Sequence, residues 1–125
     1  MPINFNDERE EFVACFRGQE RSPLLVKAAK KNGYFNIFQI VNGMISLSRL
    51  SPEDIRAIYG KDSHFTLISD RSESNQNLLT ATRCKQLLNL AGIDFDTISN
   101  DELIIYLRQA GIPDDEIPRI LFSSK

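Results

Sequence analysis

The phrases AGIDFDTI (residues 91–98) and AGIPDDEI (residues 110–117) stand nineteen positions apart, and their reading decides the fold class. Each comes after an apolar run with helical spacing. Leu79, Thr80, Cys84, Leu87, Leu88 and Ala91 precede the first turn; Leu103, Ile104, Leu107 and Ala110 precede the second. Gly92 and Gly111 fall just past the helix end, where positive φ is common and a Cβ is unwelcome. Ile93 and Ile112 occupy the next position, where an apolar residue folds back on the helix. Acidic residues come next: Asp94 and Asp96 in one copy, Asp114, Asp115 and Glu116 in the other. Such residues suit a helix cap or first turn, where the dipole favours negative charge. Ile98 and Ile117 then return to the core. The phrase therefore predicts a helix end, a tight turn and a new helix, with Gly92, Ile93, Gly111 and Ile112 as structural turn residues. Two copies do not make a solenoid.

Working outward, the rest of the chain shows the same rhythm. Asn6 caps a predicted first helix, with Asp7, Glu8 and Glu10 in its opening turn; Phe12, Val13 and Phe16 share a face and Gly18 stops it. Ser22 and Pro23 open a second helix carrying Leu24, Leu25, Ala28 and Ala29, closed by Asn32-Gly33. Lys27, Lys30 and Lys31 gather near its C-terminus, where the dipole favours cations and no phosphate need be invoked. Tyr34, Ile37, Phe38, Val41 and Met44 recur at spacings of three and four and predict a central buried helix over residues 34–47. Ser51-Pro52 opens a short helix that Gly60 ends. Residues 64–68, HFTLI, interrupt the pattern as a short strand, whose candidate partner is residues 44–47 in a minimal β-hairpin. Residues 69–77 are polar and predict an exposed loop, the one candidate boundary in a chain otherwise read as a single domain, 1–125. Ser99 with Glu102 makes a capping box, and Pro113 or Asp114 opens a last helix. The expectation is mainly α: about six to seven short helices with Gly-capped turns.

Composition agrees with an ordinary globular chain. Hydrophobic residues make up 42% and charged residues 26% of the 125 positions, enough to build a core without a metal or disulfide. The net charge is −2. Residues 91–125 hold seven acids and three bases, a net of −4, which leaves +2 for the first ninety residues. This division disfavours nucleic-acid binding by the C-terminal part. The two cysteines, Cys15 and Cys84, read as reduced thiols in helical patterns and show no zinc spacing. The start of the chain lacks a secretory pattern, and no apolar run is long enough to span a membrane. A cytoplasmic protein is expected, with specialised export left open.

Three functions compete. Residues 106–121, YLRQAGIPDDEIPRIL, resemble the turn of a helix-turn-helix in small bacterial regulators. The second helix would open with Asp114, Asp115 and Glu116, which repel phosphate. His64 could serve Cys15 as a base, with Asp62 or Asp70 as orienter, but Cys15 is read as part of an apolar stripe with no helix start beside it. No cofactor loop or metal-ligand set is present, and Asp94 and Asp96 lack the other ligands of a calcium loop. The leading expectation is non-enzymatic: an adaptor, chaperone-like or regulatory protein binding a protein partner. Asp94, Asp96, Asp114, Asp115 and Glu116 would form the contact, with no catalytic, cofactor or metal residue assigned.

Overall fold

The computed structural model describes residues 9–19, 21–68 and 75–118. The elements run β1 (Glu11–Ala14), α1 (Arg21–Lys31), β2 (Ile37–Gln39), α2 (Gly43–Ser48), α3 (Pro52–Tyr59), β3 (His64–Ile68), α4 (Asn75–Ala91), β4 (Asp94–Ile98) and α5 (Asn100–Gln109). The four strands form one sheet in the order β2-β1-β3-β4, and every pairing is parallel. This corrects the mainly α, all-helical expectation: among the described residues, five helices cover a parallel sheet, an α/β architecture.

The physical reason lies in burial on both faces. Val13 and Cys15 join a core cluster with Leu25, Val26 and Ala29 of α1 and Leu103, Tyr106 and Leu107 of α5. Phe12 and Ala14 face the other way, into a cluster with Met44 and Leu47 of α2, Ile55 of α3, and Ala81, Cys84, Leu87 and Leu88 of α4. A strand covered on both sides has no polar alternation, so the run EFVA reads as easily as one face of a helix. The predicted helix over residues 34–47 divides for a different reason. β2 occupies Ile37–Gln39, then Asn42 and Gly43 adopt φ of +63° and +55°, and α2 begins afresh. The predicted hairpin is also replaced: residues 44–47 lie in α2, and the HFTLI segment is β3, paired with β1 and β4. Of the predicted polar loop, residues 69–74 lie outside the described residues and residues 75–77 open α4.

Both copies of the AGI phrase close a helix in the same way. Gly92 and Gly111 have φ of +73° and +85°. The amide of Ile93 donates to the Leu88 carbonyl at 3.0 Å, and that of Ile112 to the Leu107 carbonyl at 2.9 Å. These are the six-to-one bonds of a Schellman ending. The two continuations differ. After Ile93 the chain enters β4, so Asp94 and Asp96 are strand residues rather than a helix start. After Ile112 it makes a turn through Asp114, Asp115 and Glu116.

Side chains from neighbouring elements complete other helix ends. The Arg56 guanidinium donates through Nε and Nη2 to the Ala91 carbonyl at 2.9 and 2.7 Å. Asn32 Nδ2 bridges the Ala28 carbonyl at 2.9 Å and the Ala110 carbonyl at 2.7 Å, joining the ends of α1 and α5. Ser51 and Ser99 accept from the amides of Asp54 and Glu102, as their sequence context predicts.

Candidate anion site at the sheet switch point

In a parallel sheet every strand ends at the same edge, and the helices that come after the strands start there. The chain leaves β1 for β2 on one side and continues from β3 to β4 on the other. The switch point therefore lies at the C-terminal ends of β1 and β3, the place where open α/β sheets generally bind ligands.

Cys15 comes directly after the last residue of β1 and stands at this point. It is 5% exposed. The chain passes through Phe16, Arg17, Gly18 and Gln19 and enters α1 at Arg21, Ser22 and Pro23. The Cys15 thiol lies 3.4 Å from the Ser22 hydroxyl, so the first turn of α1 folds back over the end of β1. Arg21 is 1% exposed and Ser22 is fully buried. A fully buried arginine is rare in a folded domain unless its charge is met, and Arg21 does have an interaction partner. Arg17 is exposed at the loop surface, its guanidinium 5.8 Å from the Phe16 ring centre. The first turn of α1 contains no acidic residue, so the positive end of its dipole is not offset from within the helix.

The loop backbone is fixed from behind. The Met44 amide donates to the Cys15 carbonyl at 2.8 Å and the Ile45 amide to the Phe16 carbonyl at 3.2 Å. These carbonyls are drawn onto α2. Among the described residues, no backbone carbonyl accepts from the amides of Phe16, Gly18 or Gln19. Successive amides ahead of a helix start make an anion-binding concavity. The segment between the end of β1 and the first turn of α1 therefore holds a thiol, a hydroxyl against it and a buried arginine.

The second thiol has a contrasting environment. Cys84 is fully buried in α4 and donates to the Met44 carbonyl at 3.2 Å. Burial pushes its pKa up to about 12, with Arg83 opposing only in part. It is a neutral core group at any ordinary pH. Neither cysteine is in a disulfide.

The other residues singled out in the sequence lie elsewhere. His64 starts β3 and is in register with Glu11, at the opposite end of the sheet from Cys15. Four strand residues separate the two edges, roughly 13 Å. That spacing corrects the Cys15–His64 pairing, and Asp62 lies at the His64 edge too; Asp70 lies outside the described residues. Lys27, Lys30 and Lys31 are exposed along α1 toward its far end, and the Lys30 ammonium sits 5.6 Å from the Phe38 ring centre. Asp94 is exposed and 3.7 Å from Arg9, and Asp96 is half-buried within β4. Asp114 is exposed and accepts from Arg108 Nε at 3.1 Å; Asp115 and Glu116 are exposed beside it. The five acids thus fall into two groups, one on β4 and one after α5. Of the helix-turn-helix segment, α5 packs Leu103, Tyr106 and Leu107 into the core, while residues 119–121 lie outside the described residues. Among the described residues, no cluster of His, Cys, Asp and Glu could hold a metal. No helix among them is long and apolar enough to cross a membrane.

Sequence reasoning misses Arg21 and Ser22 and misplaces Cys15. The available signal is local: a short apolar run ending in Cys15, a glycine three positions on, then Arg21-Ser22-Pro23 opening a helix. Strand, loop with glycine and helix start is the arrangement that cradles phosphate, and here a thiol stands at the strand end. Comparison with protein-family models, curated proteins and solved structures finds no match for this chain.

Proposed function

We propose that this protein is a cysteine-dependent phosphate-monoester hydrolase acting through Cys15. The observation that carries the reading is the Cys15–Ser22 contact at 3.4 Å, which sets a thiol against the first turn of α1, the turn that also holds buried Arg21. A helix N-terminus and a basic residue in its first turn both favour the thiolate, the reactive form of cysteine. The same groups favour a dianionic phosphate, so nucleophile and substrate are drawn to one place.

The chemistry takes two displacements. The Cys15 thiolate attacks phosphorus, an S–P bond forms and the ester P–O bond breaks, releasing the alcohol or phenol oxygen, which takes a proton from solvent water. Water then attacks the phosphorus of the cysteinyl phosphate and gives up a proton to solvent. The S–P bond breaks with its electron pair returning to sulfur, and inorganic phosphate leaves. Arg21 and the loop amides stabilise the phosphoryl oxygens as charge shifts among them, the role of preorganised donors in such transfers. The Ser22 hydroxyl donates to the departing thiolate in the second step. Covalent catalysis of this kind divides one difficult displacement into two easier ones.

The reading also supports a reducing compartment such as the cytoplasm, since a working thiolate must stay unoxidised. The test is turnover of p-nitrophenyl phosphate by the intact chain, with vanadate as a competing oxyanion. Hydrolysis that vanadate inhibits and that Cys15→Ala removes supports the proposal. A chain that hydrolyses no aryl phosphate, and whose Cys15 is not protected from alkylation by inorganic phosphate, overturns it.

A further inference from the structure

Behind the Cys15 loop lies a turn whose backbone conformation is unusual. Asn42 is the one non-glycine residue at positive φ among the described residues, at +63°, and Gly43 is next at +55°. Positive φ at both positions is what an Asn-Gly turn favours and what most other residues at position 42 resist. Asn42 flanks α2 without capping it, since its side chain makes no cap hydrogen bond. Helix capping therefore does not account for the conformation.

The turn's contacts point to a different use. It directs the Met44 and Ile45 amides at the Cys15 and Phe16 carbonyls, at 2.8 and 3.2 Å. A Cβ on Gly43 would overlap the Cys15 carbonyl oxygen. A Cβ on Gly18 would come within 2.8 Å of the Ile40 carbonyl oxygen and the Gly43 nitrogen. Two backbones thus meet with no side chain between them, each glycine clearing the path of the other segment. Cys84 anchors the same segment from α4 through the Met44 carbonyl at 3.2 Å. A carbonyl held backward leaves the next amide of its peptide unit facing forward, because the two are antiparallel across a planar bond.

We infer that the Asn42-Gly43 turn is a positioning element of the Cys15 site, which holds the loop carbonyls onto α2 so that its amides face the anion. The inference rests on the hydrolase reading for its purpose, but its direct readout is the Cys15 thiol itself. Neither Asn42 nor Gly43 acts on the phosphoryl group. Their effect passes through the carbonyls of Cys15 and Phe16.

The experiment compares the intact parent chain with Asn42→Gly, Asn42→Ala and Asn42→Val. For each, the rate of Cys15 alkylation by iodoacetamide is tracked against pH by peptide mass spectrometry, with and without inorganic phosphate. Circular dichroism selects folded variants. Valine strongly resists positive φ, alanine resists it moderately, and glycine adopts it freely. In Asn42→Ala and Asn42→Val the alkylation midpoint rises toward that of an unperturbed thiol, about 8.5, and kcat for p-nitrophenyl phosphate falls on the order of 10–100-fold. Asn42→Gly restores the parent's midpoint. If Asn42→Val fails to fold, Asn42→Ala gives the same contrast with glycine. Folded Ala and Val variants that keep the parent's midpoint and phosphate protection overturn the inference. A parent with a depressed midpoint that Asn42→Ala raises, but without phosphatase turnover, defeats the hydrolase reading and leaves the positioning role standing.

Discussion

The Cys15 thiol and the Ser22 hydroxyl lie 3.4 Å apart, one at the end of β1 and the other in the first turn of α1. Seven positions of chain close on themselves there, and buried Arg21 lies within the closure. The fold brings this about because β1 is buried on both faces at the centre of the sheet.

Substitutions within the closure should separate by role. Arg21→Lys keeps a charge but loses the planar fork, and kcat/KM for an aryl phosphate should fall on the order of 100-fold. Ser22→Ala should spare the first displacement and slow the second. The check is pre-steady-state release of p-nitrophenol. A burst and then slowed turnover is expected in Ser22→Ala, and a slowed first phase in Arg21→Lys.

The turns make a separate, purely structural prediction. Gly92→Ala and Gly111→Ala should each cost about 1 kcal/mol, because their φ values of +73° and +85° penalise a Cβ. Space is not the issue: nothing lies within 4 Å of a Cβ at Gly111, and at Gly92 the nearest atom is Arg56 Nη2 at 3.5 Å. Thermal melts of the two variants should show similar losses. Unchanged melting would contradict the account of both helix ends.

How much of this is legible in the sequence depends on the kind of signal. Local signals are plain: Ser51 and Ser99 as caps, Gly92 and Gly111 as helix ends, and HFTLI as a strand all come from side chains near in sequence. Pairing and layer are not. Phe12 and Val13 fit a helical stripe as well as a buried strand; the predicted cap at Asn6, with Asp7 and Glu8, lies outside the described residues. Asp94 and Asp96 imitate a helix start, although alternation with Phe95 suits a strand at the sheet edge. With β1 read as a helix, Cys15 loses its place at the end of a strand ahead of α1. Arg21 and Ser22 then belong to a different helix, and the constellation cannot be assembled. The Asn42-Gly43 break carries a plain turn signal, the same dipeptide as Asn32-Gly33, but the apolar spacing on both sides masks it in a helical reading.

Cross-element caps should matter more than surface ion pairs. Asn32→Ala removes donors to both the Ala28 and Ala110 carbonyls and should cost about 1–2 kcal/mol. The exposed Arg108–Asp114 pair should contribute well under about 1 kcal/mol. Urea unfolding of Asn32→Ala and Asp114→Ala compares them directly, and an equal loss would contradict this ranking.

Alkaline pH should weaken the fold through Cys84. Its folded pKa of about 12 lies above its ordinary value of 9.0, so between these limits the unfolded chain loses a proton that the folded chain retains. Stability is unaffected below the lower value and falls as pH rises above it, by at most about 1.4 kcal/mol per pH unit. Burial raises the Tyr59 pKa as well, which adds a loss in the same direction from its ordinary value of 10.0 upward. Cys84→Ala should flatten the profile between pH 9 and 12 relative to the parent. The same drop in both proteins would show that Cys84 is not its source.

The most direct measurement is to trap the covalent intermediate. The intact chain is mixed with p-nitrophenyl phosphate, quenched in acid within the turnover time, digested and mapped by mass spectrometry. A phosphoryl group on the peptide bearing Cys15, absent from the Cys15→Ala chain and more abundant in Ser22→Ala, is the predicted result. Turnover that persists in Cys15→Ala, or a phosphoryl group carried on some other residue of the parent, would contradict the account.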